Sequence, residues 1–283
     1  MRIPLLKSKQ PDVDGLVIAV TGAARGIGLA TARRLAAGGA RVAIGDLDAD
    51  SATAAASTVP GGRGYRLDVT DDESFAAFLT AVATDLGPVD VLVNNAGVMW
   101  VGSFDDEPTS ASEAMVAVNL LGVIRGVRLA APAMRTRGRG QIITIASSAS
   151  RLAPPGMSTY AATKHGVLGY LTGVREELRR SGVTLTIVMP TVVDTELATG
   201  AATGSVALLQ PDDVADAVLA ALGTRRFHVW VPGKISPLIA ISGILPQPLR
   251  DRMMRFAVPD QVEAVSGSNA RDAYERSVTR QRD

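Results

Sequence analysis

The stretch VIAVTGAARGIG, residues 17–28, joins a short apolar run to a glycine-rich turn. A short, uninterrupted apolar run is typical of a strand that is buried on both faces of a parallel sheet. Glycine lets the backbone turn tightly and lets a pyrophosphate approach without meeting a Cβ atom. The N-terminus of the following helix offers free N–H groups and a positive dipole to the phosphates. The stretch therefore predicts a strand, a phosphate-binding turn and a helix.

The three glycines of the turn, Gly22, Gly26 and Gly28, follow the spacing G-x-x-x-G-x-G. This spacing differs from the common dinucleotide fingerprint G-x-G-x-x-G. A glycine-rich turn that binds no ligand is the alternative interpretation. The position of the glycines between a strand and a helix favours phosphate binding over that alternative.

Strand-like and helix-like segments alternate from about residue 15 to residue 232. Repeated β-α units imply right-handed crossovers and a doubly wound parallel sheet. We therefore predict an α/β protein of the Rossmann type, with about seven parallel strands and helices on both faces. The predicted strands cover residues 17–20, 41–45, 65–67, 89–93, 141–145, 183–189 and 227–231. The longer predicted helices cover residues 111–134, 158–180 and 212–222.

The chain has 283 residues, of which 47% are hydrophobic and 20% are charged, and this composition is typical of globular proteins. We predict one Rossmann-fold domain over residues 14–232, preceded by a loose arm at residues 1–13. An extension over residues 233–283 begins with a proline-punctuated apolar stretch and becomes polar and arginine-rich from Ser266 onward. We expect the end of this extension to be partly disordered.

The composition also argues against several classes of function. The formal net charge is +1, from 29 basic and 28 acidic residues, which leaves no basic field for nucleic-acid binding. The chain has no cysteine and only two histidines, so we expect no disulfide framework, no thiol nucleophile and no metal site.

The hydropathy pattern predicts a cytoplasmic protein without a transmembrane span. The N-terminal residues are too few and too soon charged for a signal peptide. The charge-free apolar stretch 235–249 is shorter than the ~20 residues of a spanning helix, and it contains three prolines. We expect the apolar residues of 235–258 to pack within the protein. Peripheral contact with a membrane surface, with Arg250, Arg252 and Arg255 facing the headgroups, is the alternative.

Asp46 ends the second predicted strand, 18 residues after Gly28 (46 − 28). A carboxylate at this place can accept hydrogen bonds from both hydroxyls of an adenine ribose and would repel a 2′-phosphate, which favours NAD. Arg25 favours the opposite choice, because a guanidinium in the glycine turn can pair with a 2′-phosphate. We expect NAD, with NADP as the alternative. A solvated loop acid is the other interpretation of Asp46.

Tyr160 and Lys164 lie four residues apart in a predicted helix, which places the phenol and the ammonium on one helical face. A tyrosine with a pKa of about 10 is a poor base at neutral pH, and a nearby positive charge lowers that pKa. Only four of the 29 basic residues are lysines, so a lysine at this place is notable. Two surface residues placed there by chance are the alternative.

Ser147 ends the fifth predicted strand, at the edge where parallel sheets place groups that face ligands. Its hydroxyl can hold a substrate oxygen while Tyr160 exchanges the proton. Ser148 is the adjacent candidate for this role, and a serine-rich loop without function is the other interpretation.

With these motifs the chain resembles the short-chain dehydrogenase/reductase family over about residues 15–232. The turn at 21–28 matches the family's T-G-x-x-x-G-x-G, and residues 160–164 match its Y-x-x-x-K. Residues 94–97 match N-N-A-G after the fourth strand, and residues 68–69 match the acid and valine that follow the third strand. The family's P-G-x-V-x-T reads PTVVDT at 190–195, with Thr191 where glycine is usual. This threonine is expected to narrow or stiffen the loop beside the substrate.

The resemblance implies an NAD(P)-dependent oxidoreductase that transfers a hydride between nicotinamide C4 and a secondary alcohol or ketone. It implies that Tyr160 is the general base or acid, and that Lys164 lowers its pKa and binds the nicotinamide ribose. Ser147 then orients the substrate oxygen, and Asn119 positions a water that links Lys164 to solvent. The expected catalytic residues are Asn119, Ser147, Tyr160 and Lys164. The expected cofactor-binding residues are Gly22, Arg25, Gly26, Ile27, Gly28, Asp46, Asp68, Val69, Asn95, Ala96, Gly97, Tyr160, Lys164, Pro190, Val193 and Thr195.

The resemblance also identifies residues 191–210 as the substrate lid, a segment that has only two charged residues, Asp194 and Glu196. We therefore expect an apolar pocket and a hydrophobic alcohol or ketone, such as a steroid, a retinoid or a lipid-like compound. The other residues expected in this pocket are Val98, Met99, Trp100 and Leu152.

Two further expectations follow from the resemblance. Family members usually pair through the helices that correspond to those carrying Asn119 and Tyr160, so we expect a homodimer or a homotetramer. The alternative function is a dinucleotide-binding regulator or scaffold without turnover. The intact set of four catalytic residues argues against that alternative.

Overall fold

A computed structural model describes residues 11–204, 206–237, 239, 245–266, 271 and 274–276 of the chain. Seven strands form one parallel sheet in the order β3-β2-β1-β4-β5-β6-β7. The strands are β1 (Val17–Thr21), β2 (Arg41–Asp46), β3 (Arg63–Arg66), β4 (Val91–Asn94), β5 (Gly140–Ile145), β6 (Val183–Pro190) and β7 (His228–Val231). The predicted Rossmann-type α/β fold is confirmed.

Helices connect the strands and cover both faces of the sheet. The helices are α1 (Gly26–Ala36), α2 (Ala49–Ser57), α3 (Asp72–Asp85), α4 (Thr109–Met115), α5 (Gly122–Thr136), α6 (Ser158–Glu177), α7 (Pro211–Ala221), α8 (Gln247–Ala257) and α9 (Gln261–Val265). After β3 the chain returns to the other side of β1 to form β4. The direction of winding therefore reverses between β1 and β4, and such a reversal opens a crevice at the carboxyl ends of the strands.

The apolar run of β1 lies between two core layers. Val17 and Ala19 pack with residues of α3, α5 and α6, whereas Ile18 and Val20 pack with residues of α1, α2 and α7. Every residue of β1 is buried. A strand that is covered by helices on both sides must be apolar at each position, which is why its sequence shows a run and not an alternation.

The helical segment predicted over residues 111–134 is divided in the structure. α4 leads into a single π-helical turn, Val116–Leu121, and α5 follows it. A π turn closes its hydrogen bonds one residue later than an α turn, and it occurs frequently at functional sites. Asn119 lies in this turn and is fully buried.

Several boundaries differ from the predicted ones, mostly by one residue. α6 ends before residue 180 because Arg180 has a left-handed backbone, with φ +67°. β4 begins later than predicted and continues to Asn94, which pairs with Thr144 of β5. β3 covers residues 63–66 because these residues pair in register with β2.

Both ends of the predicted domain continue into packed segments. Residues 1–10 of the predicted arm lie outside the described residues, whereas Val13 is buried against Gly38. In the extension, Ile239 is buried and Leu249 is largely exposed, while residues 240–244 lie outside the described residues. Of the residues after Ser266, Arg271 is described and is only 3% exposed, and the expectation of partial disorder in this end stays a prediction. Residues 277–283 lie outside the described residues.

By length and composition alone, one helical segment among the described residues, Thr109–Thr136, could cross a membrane. In the structure 56% of its most apolar window is buried. Met115, Val123 and Val127 of this segment belong to the core clusters of the domain. The segment therefore packs as a core helix.

Candidate active site

The carboxyl ends of the central strands border a cavity of about 580 Å³. This volume lies within the range of about 300–1,000 Å³ that is usual for small-molecule sites. Of the residues predicted from the sequence, those that line it are Gly22, Arg25, Gly26, Ile27, Asp46, Asp68, Val69, Asn95, Ala96, Gly97, Ser147, Tyr160, Lys164, Pro190, Val193 and Thr195. Gly28 and Asn119 do not line it, although both are buried close to it.

The glycine turn has the geometry that a phosphate site requires. Gly22 and Gly26 have left-handed φ values of +62° and +55°, and a Cβ atom on Gly22 would lie 2.7 Å from the Cα atom of Ala96. α1 begins at Gly26 without a capping side chain among the described residues, and its first turn has no acidic residue. The N–H groups of that turn are therefore left for an anion, which fits the pyrophosphate of a dinucleotide.

Gly28 supports this turn from behind. A Cβ atom at Gly28 would lie 2.5 Å from the carbonyl oxygen of Gly22 and 2.6 Å from Nδ2 of Asn95. That Nδ2 atom donates to the carbonyl oxygens of Thr21 (2.9 Å) and Gly22 (2.8 Å). Gly28 therefore provides the space in which Asn95 holds the turn, and it contributes packing more than ligand contact.

The two predicted acids at the adenine end of the cavity also hold its backbone. Asp46 accepts a hydrogen bond from the N–H of Ala24 (3.0 Å), so the end of β2 is tied to the glycine turn. Asp68 accepts hydrogen bonds from the N–H and the hydroxyl of Thr70 (2.8 and 2.7 Å). Both carboxylates line the cavity, and their expected contacts, of Asp46 with the adenine ribose and of Asp68 with the adenine, stay predictions.

Arg25 lies across the cavity from the loop that follows β6, and its guanidinium pairs with Glu196 at 2.5 Å. Both side chains are largely exposed, so the net energy of this ion pair is about 0–1 kcal/mol. On the same side, a Cβ atom on Gly26 would meet Thr195 at 3.5 Å. The glycine turn and the loop after β6 therefore approach each other closely.

Tyr160 lies in the first turn of α6 and is 7% exposed. Burial raises the pKa of Tyr160 to about 12, a hydrogen bond with the Ser147 side chain lowers the pKa in part, and nearby Tyr274 adds to the rise. Oγ of Ser147 also accepts from the N–H of Ala149 (3.1 Å), which fixes the orientation of its hydroxyl. Ser147 and Ser148 both line the cavity, and the hydrogen bond to the phenol favours Ser147 as the partner of Tyr160.

Lys164 follows one helical turn later, and its Nζ lies 5.4 Å from the centroid of the Tyr160 ring. Nζ donates to the carbonyl oxygen of Ile145 (3.4 Å). Burial lowers the pKa of Lys164 to about 8. Burial is therefore the largest influence on the pKa of both groups, and the expected action of Lys164 on the phenol stays a prediction.

Asn119 uses both ends of its amide on the chain that follows β4. Its Nδ2 donates to the carbonyl oxygen of Val98 (2.8 Å), and its Oδ1 accepts from the N–H of Val98 (2.9 Å). Gly97 lies near both Asn119 and the lysine, because a Cβ atom there would lie 3.3 Å from Oδ1 of Asn119 and 3.8 Å from Nζ of Lys164. Asn119 thus holds the cavity wall beside Lys164, and its expected action on a water stays a prediction.

This geometry agrees with the comparison to known protein families. The model of the short chain dehydrogenase family matches residues 16–204. The chain belongs to the short chain dehydrogenase family. The predicted family is confirmed.

Curated relatives of this chain are named for several activities. The probable oxidoreductase EphD of Mycobacterium tuberculosis is 34% identical over 261 residues, which cover 83% of this chain and 44% of the relative. This chain thus spans less than half the length of EphD. The D-beta-hydroxybutyrate dehydrogenase of Rhizobium meliloti is 37% identical over 184 residues (63% of this chain, 71% of the relative). The D-threitol dehydrogenase of Mycolicibacterium smegmatis is 38% identical over 189 residues (65% of this chain, 73% of the relative).

Solved structures of the family share the fold of this dehydrogenase. A short chain dehydrogenase/reductase from Burkholderia phymatum in complex with NAD has a TM-score of 0.76 at 25% identity, covering 88% of this chain and 98% of that one. A metagenomic short-chain oxidoreductase in complex with NADP has a TM-score of 0.67 at 35% identity, covering 78% and 98%. Both of these solved structures thus hold a nicotinamide dinucleotide, NAD in one and NADP in the other.

Several cavity residues of the dehydrogenase were not expected from its motifs. Val258, Pro259, Gln261 and Tyr274 of the C-terminal extension line the cavity. The signal in the sequence that could have indicated them is Tyr274, one of only four tyrosines in the chain, which lies in an otherwise polar segment.

Two expectations about the substrate end have different outcomes. Trp100 does not line the cavity, because its ring packs on Gly102, where a Cβ atom would lie 2.4 Å from the ring. Val98, Met99 and Leu152 do line it. Thr191 lines it as well, and its buried hydroxyl has no hydrogen-bond partner in the described part of the chain.

Replacement of Lys164 by methionine should stabilise the dehydrogenase at pH 7. The pKa of Lys164 is about 8 in the folded protein and 10.5 for an unburied lysine, so the unfolded chain binds the proton more tightly. The free energy of unfolding therefore rises with pH between about 8 and 10.5, and below this range the buried charge lowers stability. We expect Lys164→Met to raise the melting temperature by about 2–4 °C for each kcal/mol by which the free energy of unfolding increases.

The measurement is thermal unfolding as a function of pH. The advantage of Lys164→Met should shrink as the pH rises from 8 to 10.5, and the exposed Lys234→Met should behave like the wild type. Above pH 10 both proteins lose stability, because the pKa of Tyr160 is raised by burial in the folded state. A lower melting temperature of Lys164→Met at pH 7 would show that the charge is compensated.

Proposed function

We propose that the protein is an NAD-preferring oxidoreductase that interconverts an apolar secondary alcohol and its ketone. The observation that carries this proposal is the convergence of Ser147, Tyr160 and Lys164 in the cavity that begins at the glycine turn. A buried phenol, a serine hydroxyl and an ammonium group together supply what a proton transfer at a carbinol oxygen needs.

The cavity suits a nicotinamide dinucleotide. The uncapped start of α1 would take the pyrophosphate, and Asp46 and Asp68 stand at the adenosine end. When bound, this cofactor supplies the hydride chemistry and, in its oxidised form, a positive charge near the phenol. Lys164, Val193 and Thr195 would hold the nicotinamide half.

Each catalytic side chain has a distinct task. Ser147 is oriented by the N–H of Ala149 and would hold the substrate oxygen against the phenol. Tyr160 would take the hydroxyl proton in oxidation and return it in reduction. Lys164 would stabilise the phenolate, and its lowered pKa lets it exchange a proton near neutral pH. Asn119 would keep the wall beside Lys164 in place through Val98.

An apolar substrate is supported by the lining of the cavity near Tyr160. The loop after β6, the segment just before α9 and the chain after Ser147 contribute mainly apolar side chains. Those near the substrate end are Met99, Leu152, Met157, Leu197, Val206 and Val258. A pocket of this kind selects by shape and apolar contact, with Ser147 and Tyr160 as the polar groups that orient the reacting oxygen.

The preference for NAD is supported by the charges at the adenosine end. The carboxylate of Asp46 is fixed to the glycine turn and would repel a 2′-phosphate. Arg25, the residue that could attract that phosphate, pairs instead with Glu196. NADP remains the alternative cofactor.

Oligomerisation and cellular location belong to the proposal as well. Val116 and Leu121, on the π turn that carries Asn119, are 38% and 45% exposed, which supports pairing through this helix in a homodimer or homotetramer. We also propose a cytoplasmic location, which is supported by the hydropathy pattern of the sequence alone.

The test is a panel of secondary alcohols with NAD and, separately, NADP, followed by the absorbance of the reduced nicotinamide. Apolar alcohols should react faster than D-threitol and D-β-hydroxybutyrate, which serve as polar comparators, and NAD should be preferred. Binding of the dinucleotide without turnover of any alcohol or ketone would identify the alternative, a dinucleotide-binding regulator or scaffold.

A further inference from the structure

A C-terminal strap, defined as residues 258–266, 271 and 274–276, closes the substrate end of the cavity. Val258, Pro259, Gln261 and Tyr274 of this strap line the cavity together with the residues of the central domain. The family model ends at residue 204, so the strap lies outside the matched segment.

Gln261 fastens the strap to two loops of the active site. It is 2% exposed, and its Oε1 accepts from the N–H of Ala202 (2.8 Å) while its Nε2 donates to the carbonyl oxygen of Ala202 (2.9 Å). The backbone N–H of Gln261 donates to the carbonyl oxygen of Pro155 (3.1 Å). The strap is thus joined to the loop after β6 and to the segment between Ser147 and Tyr160.

Gly156 allows the strap to approach at backbone distance. It has φ +83°, and a Cβ atom there would lie 2.8 Å from the backbone nitrogen of Val262. Any other residue would strain its own backbone and displace the start of α9. The close packing of α9 on the active-site loop is therefore built into the sequence of that loop.

Arg271 is the central anchor of the strap. Its guanidinium is buried and donates to three carbonyl oxygens, those of Met99 (3.2 Å), Leu197 (3.1 Å) and Thr199 (2.6 Å). Its Nε pairs with Glu275 at 2.9 Å. A buried charge is tolerated when it is paired and hydrogen-bonded, so these contacts explain why this arginine is only 3% exposed. Arg271 connects both loops that flank the cavity.

Tyr274 follows this anchor and presents its side chain to the cavity. Its hydroxyl oxygen accepts from the N–H of Met99 (3.2 Å), and its ring lies 5.5 Å from the guanidinium carbon of Arg271. Burial raises the pKa of Tyr274, and its proximity also raises the pKa of Tyr160. The two phenols therefore belong to one site, one at the reacting oxygen and the other at the cavity wall.

We propose that Tyr274 is a specificity-determining residue that limits the length of the apolar substrate beside Tyr160, and that Arg271 is the positioning residue that holds it there. The inference rests on the proposed function for the substrate class. It adds that the C-terminal strap selects which ketones fit, while Ser147, Tyr160 and Lys164 perform the reaction.

The first arm of the test compares straight-chain methyl ketones from butanone to decanone, by turnover and by ketone-induced shifts in melting temperature. Tyr274→Ala should raise the preference for the longest over the shortest ketone about tenfold or more. One methylene group in an apolar pocket changes the preference between two substrates by roughly 10–200-fold. Tyr274→Phe keeps the ring and should keep the wild-type length limit. An unchanged preference in Tyr274→Ala would overturn the proposal.

The second arm tests the positioning role. Arg271→Gln should raise KM for butanone about tenfold and leave kcat within about twofold, because the wall is displaced and the reacting groups are not. Arg271→Lys should recover part of the loss, since an ammonium still donates to carbonyl oxygens. The exposed Arg252→Gln is the matched control and should behave like the wild type. Loss of kcat and unchanged KM in Arg271→Gln would contradict the positioning role.

The third arm needs no turnover. Tyr274→Phe removes the acceptor of the Met99 N–H, so hydrogen exchange at Met99 should become faster while exchange in β1 stays unchanged. If no alcohol is oxidised, the proposed function fails. The hydrogen-exchange measurement and the ketone-induced melting shifts still test the role of Tyr274 in that case. Unchanged exchange at Met99 would show that the strap does not occupy this place in solution.

Discussion

Tyr160→Phe should lower kcat for the preferred alcohol by about 10²–10⁴-fold, the usual contribution of general acid–base catalysis. The phenol is buried, paired with Ser147 and adjacent to Lys164, so we expect it to be the group that takes the proton of the substrate hydroxyl. The affinity for NAD should change little, because the hydroxyl alone is removed and the ring continues to fill its place. Steady-state kinetics and a direct binding measurement with NAD check both parts.

Tyr170→Phe is the matched control. Tyr170 lies on the same helix as Tyr160 but does not line the cavity, and it is only partly buried. This variant should retain the wild-type kcat. If Tyr160→Phe turned over as fast as Tyr170→Phe, the phenol would not be the proton-transfer group.

Asp46→Asn should shift the ratio of kcat/KM for NADP over NAD by about tenfold or more toward NADP. Two like charges near a protein surface at about 4 Å repel by up to roughly 4 kcal/mol, so removal of the carboxylate charge has room for an effect of this size. An asparagine oxygen can still accept from the N–H of Ala24, so the glycine turn keeps its support. The kinetics are measured with both cofactors at one ionic strength, because salt screens the effect.

Asp48→Asn is the control for this change. Asp48 caps α2 and is exposed, and asparagine caps a helix about as well as aspartate does. Glu196→Gln, which releases Arg25 from its ion pair, should add to the shift in an Asp46→Asn background. An identical cofactor ratio in Asp46→Asn and Asp48→Asn would mean that Asp46 does not contact the ribose.

Most of the cavity could be predicted from local motifs because of one property of the fold. The motifs at residues 21–28, 94–97 and 190–195 follow β1, β4 and β6, and Ser147 follows β5. The carboxyl ends of parallel strands meet at one edge of a sheet, so the fold brings together residues that are far apart in the sequence. Their proximity can therefore be predicted without predicting any individual contact between them.

The parts that were not predicted depend on contacts between distant segments. The ion pair of Arg25 and Glu196 joins residues 171 positions apart, and the hydrogen bond from Arg271 to Met99 joins residues 172 positions apart. Neither the periodicity of hydrophobic residues nor the spacing of motifs indicates such pairs. The pKa values of Tyr160 and Lys164 likewise follow from burial, which the spacing of the two residues does not contain.

The π turn at Val116–Leu121 holds one residue more than an α turn would, within one continuous helix. Deletion of a single residue there would restore regular α geometry, and the helix beyond it would keep its rotational phase because the wider turn absorbs one extra residue. Gly126 would therefore stay beside Asn94, where a Cβ atom would lie 2.4 Å from the amide oxygen. The residues of the turn itself, Asn119 among them, would be displaced. The wider turn thus sets the position of one buried amide while the rest of the helix keeps its packing on the sheet.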